Sequence, residues 1–220
     1  MIAIILAAGY GNRMRPLTDN EHKTLLKING ITIIDNIIDS LIVNSINNIV
    51  IVTGYRSEEL KNYLISNYGN VNFQFVHNKD FKETNNIYSL SLAFKNIKIN
   101  SDVILIESDL IYNHNIIKKL INNPNKNVAL VDKYHSGMDG TVVKIGTNKK
   151  IIEVIPPHLQ DSNFSFSDKY KTLNIYKFSK EFTNDIFSKL INYYAEMIDD
   201  NCYYELVLGI LIYMQKENIY

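Results

Sequence analysis

Short apolar runs alternate with segments of helical periodicity through roughly the first 130 residues. The runs predict buried β-strands at residues 2–6, 49–53, 71–76, 103–107 and 128–132. One amphipathic helix is predicted between the first two strands, and its buried stripe is Ile34, Ile37, Ile38, Leu41 and Ile42. Another is predicted between the N-cap Ser57 and a stop at Gly69, and two more at 85–94 and 115–121. This alternation is typical of a parallel sheet with crossover helices.

The pattern changes after residue 133. Two short apolar runs, 141–145 and 151–155, flank the polar turn 146–149 and predict an antiparallel hairpin. The segment 158–171 is long and polar with scattered aromatic residues, and we expect it to be a mobile loop over the site. A strand at 173–178 and two helices at 180–194 and 203–214 complete the prediction.

Composition narrows the class of protein. With 220 residues, 46% of them apolar, the chain can bury one core, and we expect a single domain over 1–220. The net charge is zero, which gives no general electrostatic reason to bind nucleic acid or an anionic membrane. The single cysteine, Cys202, excludes an internal disulfide and a structural zinc site and favours a reducing compartment. The first apolar run is too short to span a membrane and lacks a basic lead-in, so we expect no signal peptide and a cytoplasmic protein.

The first strand runs into a glycine-rich, cationic segment. Gly9 and Gly11 expose backbone N–H groups, and Arg13, Arg15 and Lys23 follow. Amides and cations together donate to phosphate oxygens, so the segment predicts a polyphosphate site. Arg15 precedes a proline and can instead brace the loop by pairing with a carboxylate. The segment is neither a P-loop, whose spacing is absent, nor a dinucleotide fingerprint, whose third glycine is replaced by Met14.

Three other places carry candidate chemistry. Asp109 lies at the carboxyl end of a predicted buried strand, where open parallel sheets bind ligands, and is a candidate Mg²⁺ ligand supported by Glu107. Asp is also common in turns and caps. The Asn85-Asn86 pair offers donors and acceptors that suit the edge of a pyrimidine, although asparagine also caps helices. Lys133 ends a predicted strand near the expected metal, where a cation suits an acceptor phosphate, although exposed lysines are common.

The glycine-rich segment, read as Gly-x-Gly-x-Arg-x-Arg-Pro-x-Thr…Lys, resembles the nucleotidyltransferases that join an NTP to a phosphorylated small molecule and release pyrophosphate. The stretches 85–90, 138–143 and 171–179 are similar to the branch of that family that acts on phosphocholine and 2-aminoethylphosphonate. Within this branch, the pattern most resembles the CTP:phosphoglutamine cytidylyltransferases of capsule phosphoramidate synthesis. The resemblance extends from residue 1 to about residue 210.

The resemblance implies an α/β fold, a Rossmann-like three-layer sandwich with a mostly parallel central sheet and a small antiparallel hairpin. It also implies CTP as donor, Mg²⁺ as cofactor, a nucleotide-binding core over 1–133, and an acceptor-binding and closing segment over 134–220. Arg13 and Lys23 are then the catalytic cations, and Asp109 is the metal ligand. The implied nucleotide-binding residues are Leu6, Ala7, Ala8, Gly9, Gly11, Asn12, Arg13, Lys23, Asn85, Asn86, Ser89 and Ser108. The implied acceptor-binding residues are Lys133, Asp139, Lys171, Asn174 and Tyr176.

Two departures from the family pattern bear on this interpretation. His22 stands where the family usually has proline before the lysine. The family's C-terminal acidic element, which completes the metal site, has no counterpart before Tyr220. Either the sequence is truncated before that element, or the metal has another ligand, such as Glu205 or a residue of a subunit neighbour in a homodimer. A sugar-1-phosphate nucleotidyltransferase using UTP, dTTP or GTP is the main alternative, and a nucleotide-binding regulatory module is the non-enzyme alternative.

Overall fold

A computed structural model describes residues 1–220. The strands are β1 (Ile2–Ala7), β2 (Lys27–Ile28), β3 (Ile31–Thr32), β4 (Asn48–Thr53), β5 (Asn72–His77), β6 (Val103–Glu107), β7 (Val128–Lys133), β8 (Val142–Ile145), β9 (Ile151–Ile155) and β10 (Lys169–Phe178). The helices are α1 (Ile33–Val43), α2 (Ser57–Asn67), α3 (Asn86–Asn96), α4 (Asn115–Ile121), α5 (Lys180–Phe182), α6 (Ser188–Met197) and α7 (Glu205–Tyr213). A π-helical turn over Thr183–Phe187 joins α5 to α6.

Eight strands form the central sheet, in the order β5-β4-β1-β6-β10-β8-β9, with β7 paired to β10. The neighbours β5, β4, β1 and β6 are all parallel, as their crossover helices require. β10 is antiparallel to β6, β7 and β8, and a register shift between Thr172 and Tyr176 lets this one strand contact all three. The carboxyl ends of β1 and β6 therefore lie side by side, with the middle of β10 next to them.

Two layers of helices cover the sheet, because alternate residues of each strand face opposite sides. From β1, Ile4 and Leu6 pack into a core with α3, α6 and α7. Ala3 and Ile5 pack into a second core with α1, α2 and α4. The central parallel strands are buried on both faces and read as continuous apolar runs for this reason. The three-layer α/β sandwich predicted from the sequence is confirmed.

Several boundaries differ from the prediction. Ser57 is the first residue of α2 and not its cap: the cap is Arg56, and the Ser57 hydroxyl donates instead to Thr53 Oγ1 at 2.9 Å. The same helix ends at Asn67, before Gly69. β7, predicted as a member of the parallel sheet, lies beside the antiparallel β10. β10 begins at Lys169, so the predicted loop is shorter than expected.

No helix is both long enough and apolar enough to cross a membrane.

Candidate active site

A cavity of about 980 Å³ opens at the carboxyl ends of β1 and β6. The glycine-rich loop and the turn carrying Lys23 form one wall, and β10 with the segments at 139–141 and 157–158 forms the other. This is the edge at which open α/β sheets bind ligands. Most residues predicted for the nucleotide line it: Leu6, Ala8, Gly9, Gly11, Asn12, Arg13, Lys23, Asn85, Asn86 and Ser89.

Gly9 and Gly11 have different roles in the loop. A Cβ at Gly9 would meet nothing within 4 Å, so this part of the backbone is open to a ligand in the cavity. Gly11 has φ +69°, and a Cβ there would lie 2.9 Å from Lys23 Cβ. Only glycine adopts this conformation freely and leaves room for the lysine. Gly11 therefore lets the loop pack directly on the stem of Lys23.

The cations of the loop differ in how they are held. The Lys23 side chain is 10% exposed and its Nζ lies 3.3 Å from Asp109 Oδ2 at the end of β6. Arg13 is 85% exposed and its Nη1 lies 3.2 Å from Asp139 Oδ2 across the cavity mouth. Arg15 does not line the cavity and pairs with Asp19 at 3.4 Å, which agrees with its alternative role as a brace of the loop.

Two carboxylates follow each other at the end of β6. Asp109 lines the cavity with a half-exposed side chain. Glu107 also lines it and accepts from Asn86 Nδ2 at 3.0 Å. Burial, and then the negative charges of Glu205 and Asp109, raise the pKa of Glu107 to about 8. Burial thus disfavours the charged form of Glu107, whereas Asp109 is half-exposed, so Asp109 is the better cation ligand of the two.

The asparagine pair lines the cavity, but its side chains are already bonded within the protein. Asn85 caps α3, because its Oδ1 accepts from Asn86 N at 2.8 Å. Asn86 donates to Glu107 and, at 3.5 Å, to Glu205 Oε2, while its Oδ1 accepts from Tyr204 N at 2.9 Å. Through these bonds Asn86 holds the carboxylates at the floor of the cavity, and its role in reading the base stays a prediction.

The second wall supplies one more cation, Lys171, which lines the cavity beside Asp139 and Asn174. Its Nζ donates to the Thr172 carbonyl at 2.7 Å, and a Cβ added at Gly140 (φ +106°) would lie 3.1 Å from that Nζ. Burial lowers the pKa of Lys171, while the negative charge of Glu205 counteracts the shift. Glycine is favoured at 140 by its backbone conformation, and it leaves room for the ammonium beside it.

Four predicted site residues lie outside the cavity lining. Ala7 is buried at the end of β1, and Ser108 is buried with no hydrogen-bond partner for its hydroxyl. Lys133 is exposed at the end of β7, on a strand separated from β6 by β10, so it is not placed to contact an acceptor phosphate in this cavity. Tyr176 is only 2% exposed and packs edge-on against Tyr204 in the core. The roles predicted for these four residues stay predictions, and their positions outside the cavity lining give them no support.

Other lining residues were not singled out individually by the sequence. Thr141 and Leu173 lie within the stretches 138–143 and 171–179, whereas the rest come from segments of ordinary composition: Asn78, Phe81, Thr84, Pro157, His158 and Tyr203. Glu205, which the sequence suggested only as a substitute metal ligand, lines the cavity from the first turn of α7 and is 4% exposed. Its Oε2 accepts from Asn86 Nδ2 at 3.5 Å.

Comparison with known proteins decides the family. The model of the nucleotidyl transferase family matches residues 2–155. The chain belongs to the nucleotidyl transferase family. It is 31% identical over 219 residues to the CTP:phosphoglutamine cytidylyltransferase of Campylobacter jejuni, covering 93% of this chain and 81% of that protein. It is 30% identical over 225 residues to the choline-phosphate cytidylyltransferase of Haemophilus influenzae, covering 100% and 87%.

Solved structures share the fold of this nucleotidyl transferase. The CTP:phosphocholine cytidylyltransferase of Streptococcus pneumoniae superposes with a TM-score of 0.77 at 22% identity, covering 100% of this chain and 88% of that one. The inositol-1-phosphate CTP transferase of T. maritima gives a TM-score of 0.77 at 19% identity, covering 99% and 83%.

Proposed function

We propose that the chain is a cytidylyltransferase that transfers CMP from CTP to a small phosphorylated acceptor. A phosphate oxygen of the acceptor bonds to the α-phosphorus of CTP. The bond from that phosphorus to the oxygen bridging to the β-phosphorus breaks, and its electron pair leaves with pyrophosphate. Such a transfer depends on in-line placement and charge neutralisation more than on a protein nucleophile.

The observation that carries the proposal is the position of Lys23. Its enclosed ammonium lies beneath the open glycine loop and 3.3 Å from Asp109. A fixed cation between the loop amides and the end of β6 is suited to hold the β- and γ-phosphates and to stabilise the leaving pyrophosphate. Arg13 is exposed at the cavity mouth and can add a second contact by exchanging Asp139 for phosphate.

The donor set also fits Mg²⁺. No three His, Cys, Asp or Glu side chains are grouped as a complete metal site. Mg²⁺, however, is usually bound through one or two carboxylates together with substrate phosphates, and Asp109 offers a half-exposed carboxylate on the cavity wall. Asp109 would hold the ion and Glu107 would orient its surroundings. When bound, Mg²⁺ neutralises charge on the phosphate oxygens.

The charged residues Lys171 and Glu205 favour an acceptor that carries both a negative and a positive charge. Lys171 is the cation on the second wall and suits the acceptor phosphate in place of Lys133. Glu205 is a buried carboxyl group on the cavity floor, and burial raises its pKa. An ammonium group of the acceptor beside it would favour the charged form and pair with it. We therefore propose phosphoglutamine as the first candidate acceptor, with phosphocholine and 2-aminoethylphosphonate as alternatives. The activities named for the relatives in Campylobacter jejuni and Haemophilus influenzae support phosphoglutamine and phosphocholine as candidates.

A pyrophosphate-release screen tests the proposal. CTP, UTP, ATP and GTP are each combined with Mg²⁺ and with phosphoglutamine, phosphocholine, 2-aminoethylphosphonate or glucose 1-phosphate. We expect release to require CTP and one of the three nitrogen-bearing acceptors. For that acceptor, Glu205→Gln should raise KM about tenfold or more without changing KM for CTP, since it removes one charge contact of about 1.4 kcal/mol. The matched control is Glu181→Gln, an exposed glutamate in α5 on the opposite edge of the sheet.

The outcomes separate the alternatives. Preferential turnover of glucose 1-phosphate with UTP would replace the proposal with a sugar-1-phosphate nucleotidyltransferase. Tight nucleotide binding with no pyrophosphate release from any pair would favour a regulatory module. Equal use of all four nucleotides would remove CTP from the proposal.

A further inference from the structure

His22 lies directly beneath the site, fully buried, and does not line the cavity. Its Nε2 is 3.1 Å from the Ala7 carbonyl oxygen, and its Nδ1 accepts from Thr24 N at 3.2 Å and lies 2.8 Å from Thr24 Oγ1. A carbonyl oxygen can only accept, so the hydrogen of the ring is on Nε2. Nδ1 is then free to accept from Thr24 N. Both ring nitrogens are satisfied by a single neutral tautomer.

These contacts join two parts of the polyphosphate site. Ala7 is the last residue of β1, and the glycine loop starts immediately after it. Thr24 lies in the short 3-10 turn Lys23–Leu25, which carries the lysine and is capped by the His22 side chain. The backbone N–H of His22 also donates to Glu59 Oε2 of α2 at 3.2 Å, and Glu59 is paired with Arg56. The turn is thus tied to both β1 and α2.

The position requires a side chain that is an acceptor at one end and a donor at the other. The acceptor caps the turn, and the donor reaches back to β1. His22 has φ −64°, a backbone conformation that proline would also adopt, but proline has no imidazole nitrogens and no backbone N–H and would lose all three contacts. The histidine therefore does more than fix the direction of the chain before Lys23.

We propose that His22 is a positioning residue for Lys23: its neutral ring joins the last carbonyl of β1 to the turn that carries the lysine and so fixes the ammonium beneath the glycine loop. The inference rests on the proposed function, in which Lys23 binds the β- and γ-phosphates. It assigns to His22 no contact with the substrate.

Two substitutions of His22 test separately the contact of its ring with Thr24 and the contact with Ala7. His22→Asn keeps an oxygen that can cap Thr24 N but is too short to reach Ala7. His22→Gln keeps a terminal N–H₂ that can reach Ala7. Ser179→Ala is the matched control, because Ser179 is also buried and also caps a helical turn through Phe182 N at 3.2 Å, but lies past the end of β10 on the opposite edge of the sheet.

Binding of tripolyphosphate is measured by calorimetry, and kcat and KM by pyrophosphate release. We expect His22→Asn to weaken tripolyphosphate binding and to lower kcat, each about tenfold or more, with KM for the acceptor unchanged. His22→Gln should recover a large part of both losses. Ser179→Ala should lower the melting temperature with neither effect. If His22→Asn matches Ser179→Ala in both measurements, the inference is wrong.

One measurement on the unmodified protein is independent of whether the variants fold. Nitrogen-15 NMR of the imidazole should show a neutral Nε2–H ring at pH 7, and a charged ring or an Nδ1–H tautomer would overturn the inference. The proposed function fails separately. If the wild-type protein binds neither CTP nor tripolyphosphate, both the proposed function and the role of His22 are wrong. If the wild-type protein binds and turns over CTP while His22→Asn behaves like the control, only the role of His22 is wrong.

Discussion

At the scale of single residues, the cations of the cavity differ mainly in their freedom to move. Lys23 is enclosed and already faces Asp109, whereas Arg13 is almost fully exposed. A cation held in place before the reaction loses little entropy when it binds the charge that develops on the leaving group. Lys23 should therefore contribute more to the rate than Arg13.

We expect Lys23→Met to lower turnover by roughly 10²-fold or more, because it keeps the stem that packs on Gly11 and removes the ammonium. Arg13→Ala should lower turnover less, by about tenfold, since an exposed side chain must be ordered at a cost in entropy. Steady-state kinetics and melting temperatures measure both. Normal turnover in both variants would contradict the polyphosphate interpretation of the glycine loop.

The buried His22 should make the free energy of unfolding depend on pH in the acidic range. Burial is the main cause that lowers the pKa of His22 from 6.5 to about 4. Between these two values the unfolded chain binds the proton and the folded chain does not, so the free energy of unfolding should fall as the pH drops from about 6.5 towards 4. The full effect is about 3 kcal/mol, and above pH 7.5 it vanishes.

Urea titrations at pH 7.5, 6, 5 and 4.5 measure this slope. His22→Gln cannot bind the proton, so it should flatten the slope, whereas His135→Gln, which changes an exposed histidine, should leave it as in the wild type. An unchanged slope in His22→Gln would mean that other groups control the acid response.

Residues of the site that share a contiguous motif could be predicted, and isolated ones could not. The glycine loop and its cations lie within about fifteen residues, so their joint chemistry is visible in the sequence. His22 appeared there only as a departure from the family's proline. Its three contacts reach Ala7, Thr24 and Glu59, and only the folded chain brings the first and last of these next to it.

At the scale of elements, the end of β6 concentrates the acidic groups of the site. Glu107 is the last residue of the strand, and Asp109 follows where the strand opens into the cavity. Glu107 has a pKa of about 8 and shares Asn86 with Glu205, so it is held within the protein. Asp109 has only Lys23 as a charged partner. At the end of β6, Asp109 is therefore the carboxylate available to a ligand in the cavity, and Glu107 is held by its hydrogen bond to Asn86.

Asp109→Asn should lower kcat much more than it weakens CTP binding, because it keeps the shape of the side chain and removes the charge proposed to hold Mg²⁺. Glu107→Gln should be milder, since the glutamine oxygen can still accept from Asn86. The measurement is kcat and CTP affinity across a Mg²⁺ titration. A larger loss in Glu107→Gln than in Asp109→Asn would reverse the two roles.

The sequence predicted the long, regular elements and missed the short ones. The central strands are buried on both faces, so their apolar runs are continuous and easy to recognise. β2 and β3 have two residues each, too few for any periodicity. The π turn between α5 and α6 lengthens the apolar spacing to five residues, from Phe182 to Phe187, and one such irregularity is too small to identify from the sequence. The pairing of β10 with three strands depends on a register shift that composition does not encode.

At the scale of the whole molecule, β10 ties the two predicted halves of the chain together. It comes from the second half, yet it pairs with β6 and β7 of the first half as well as with β8. The last residue adds two more links, because Tyr220 N donates to the Asn127 carbonyl and the Tyr220 carbonyl accepts from Ala129 N. The two walls of the cavity therefore share one sheet, and neither half of the chain can unfold without breaking strand pairs with the other.

We accordingly expect residues 1–133 and 134–220 to unfold in a single cooperative transition. Hydrogen exchange measured by mass spectrometry through a urea series should give the same midpoint for peptides from β4 and from β9. CTP at 100 times its Kd should raise both midpoints together, by the equivalent of about 2.7 kcal/mol, although its proposed contacts lie mostly in the first half. A lower midpoint for β9, or a shift by CTP confined to β4, would show instead that residues 134–220 form a separate unit that can unfold while residues 1–133 stay folded.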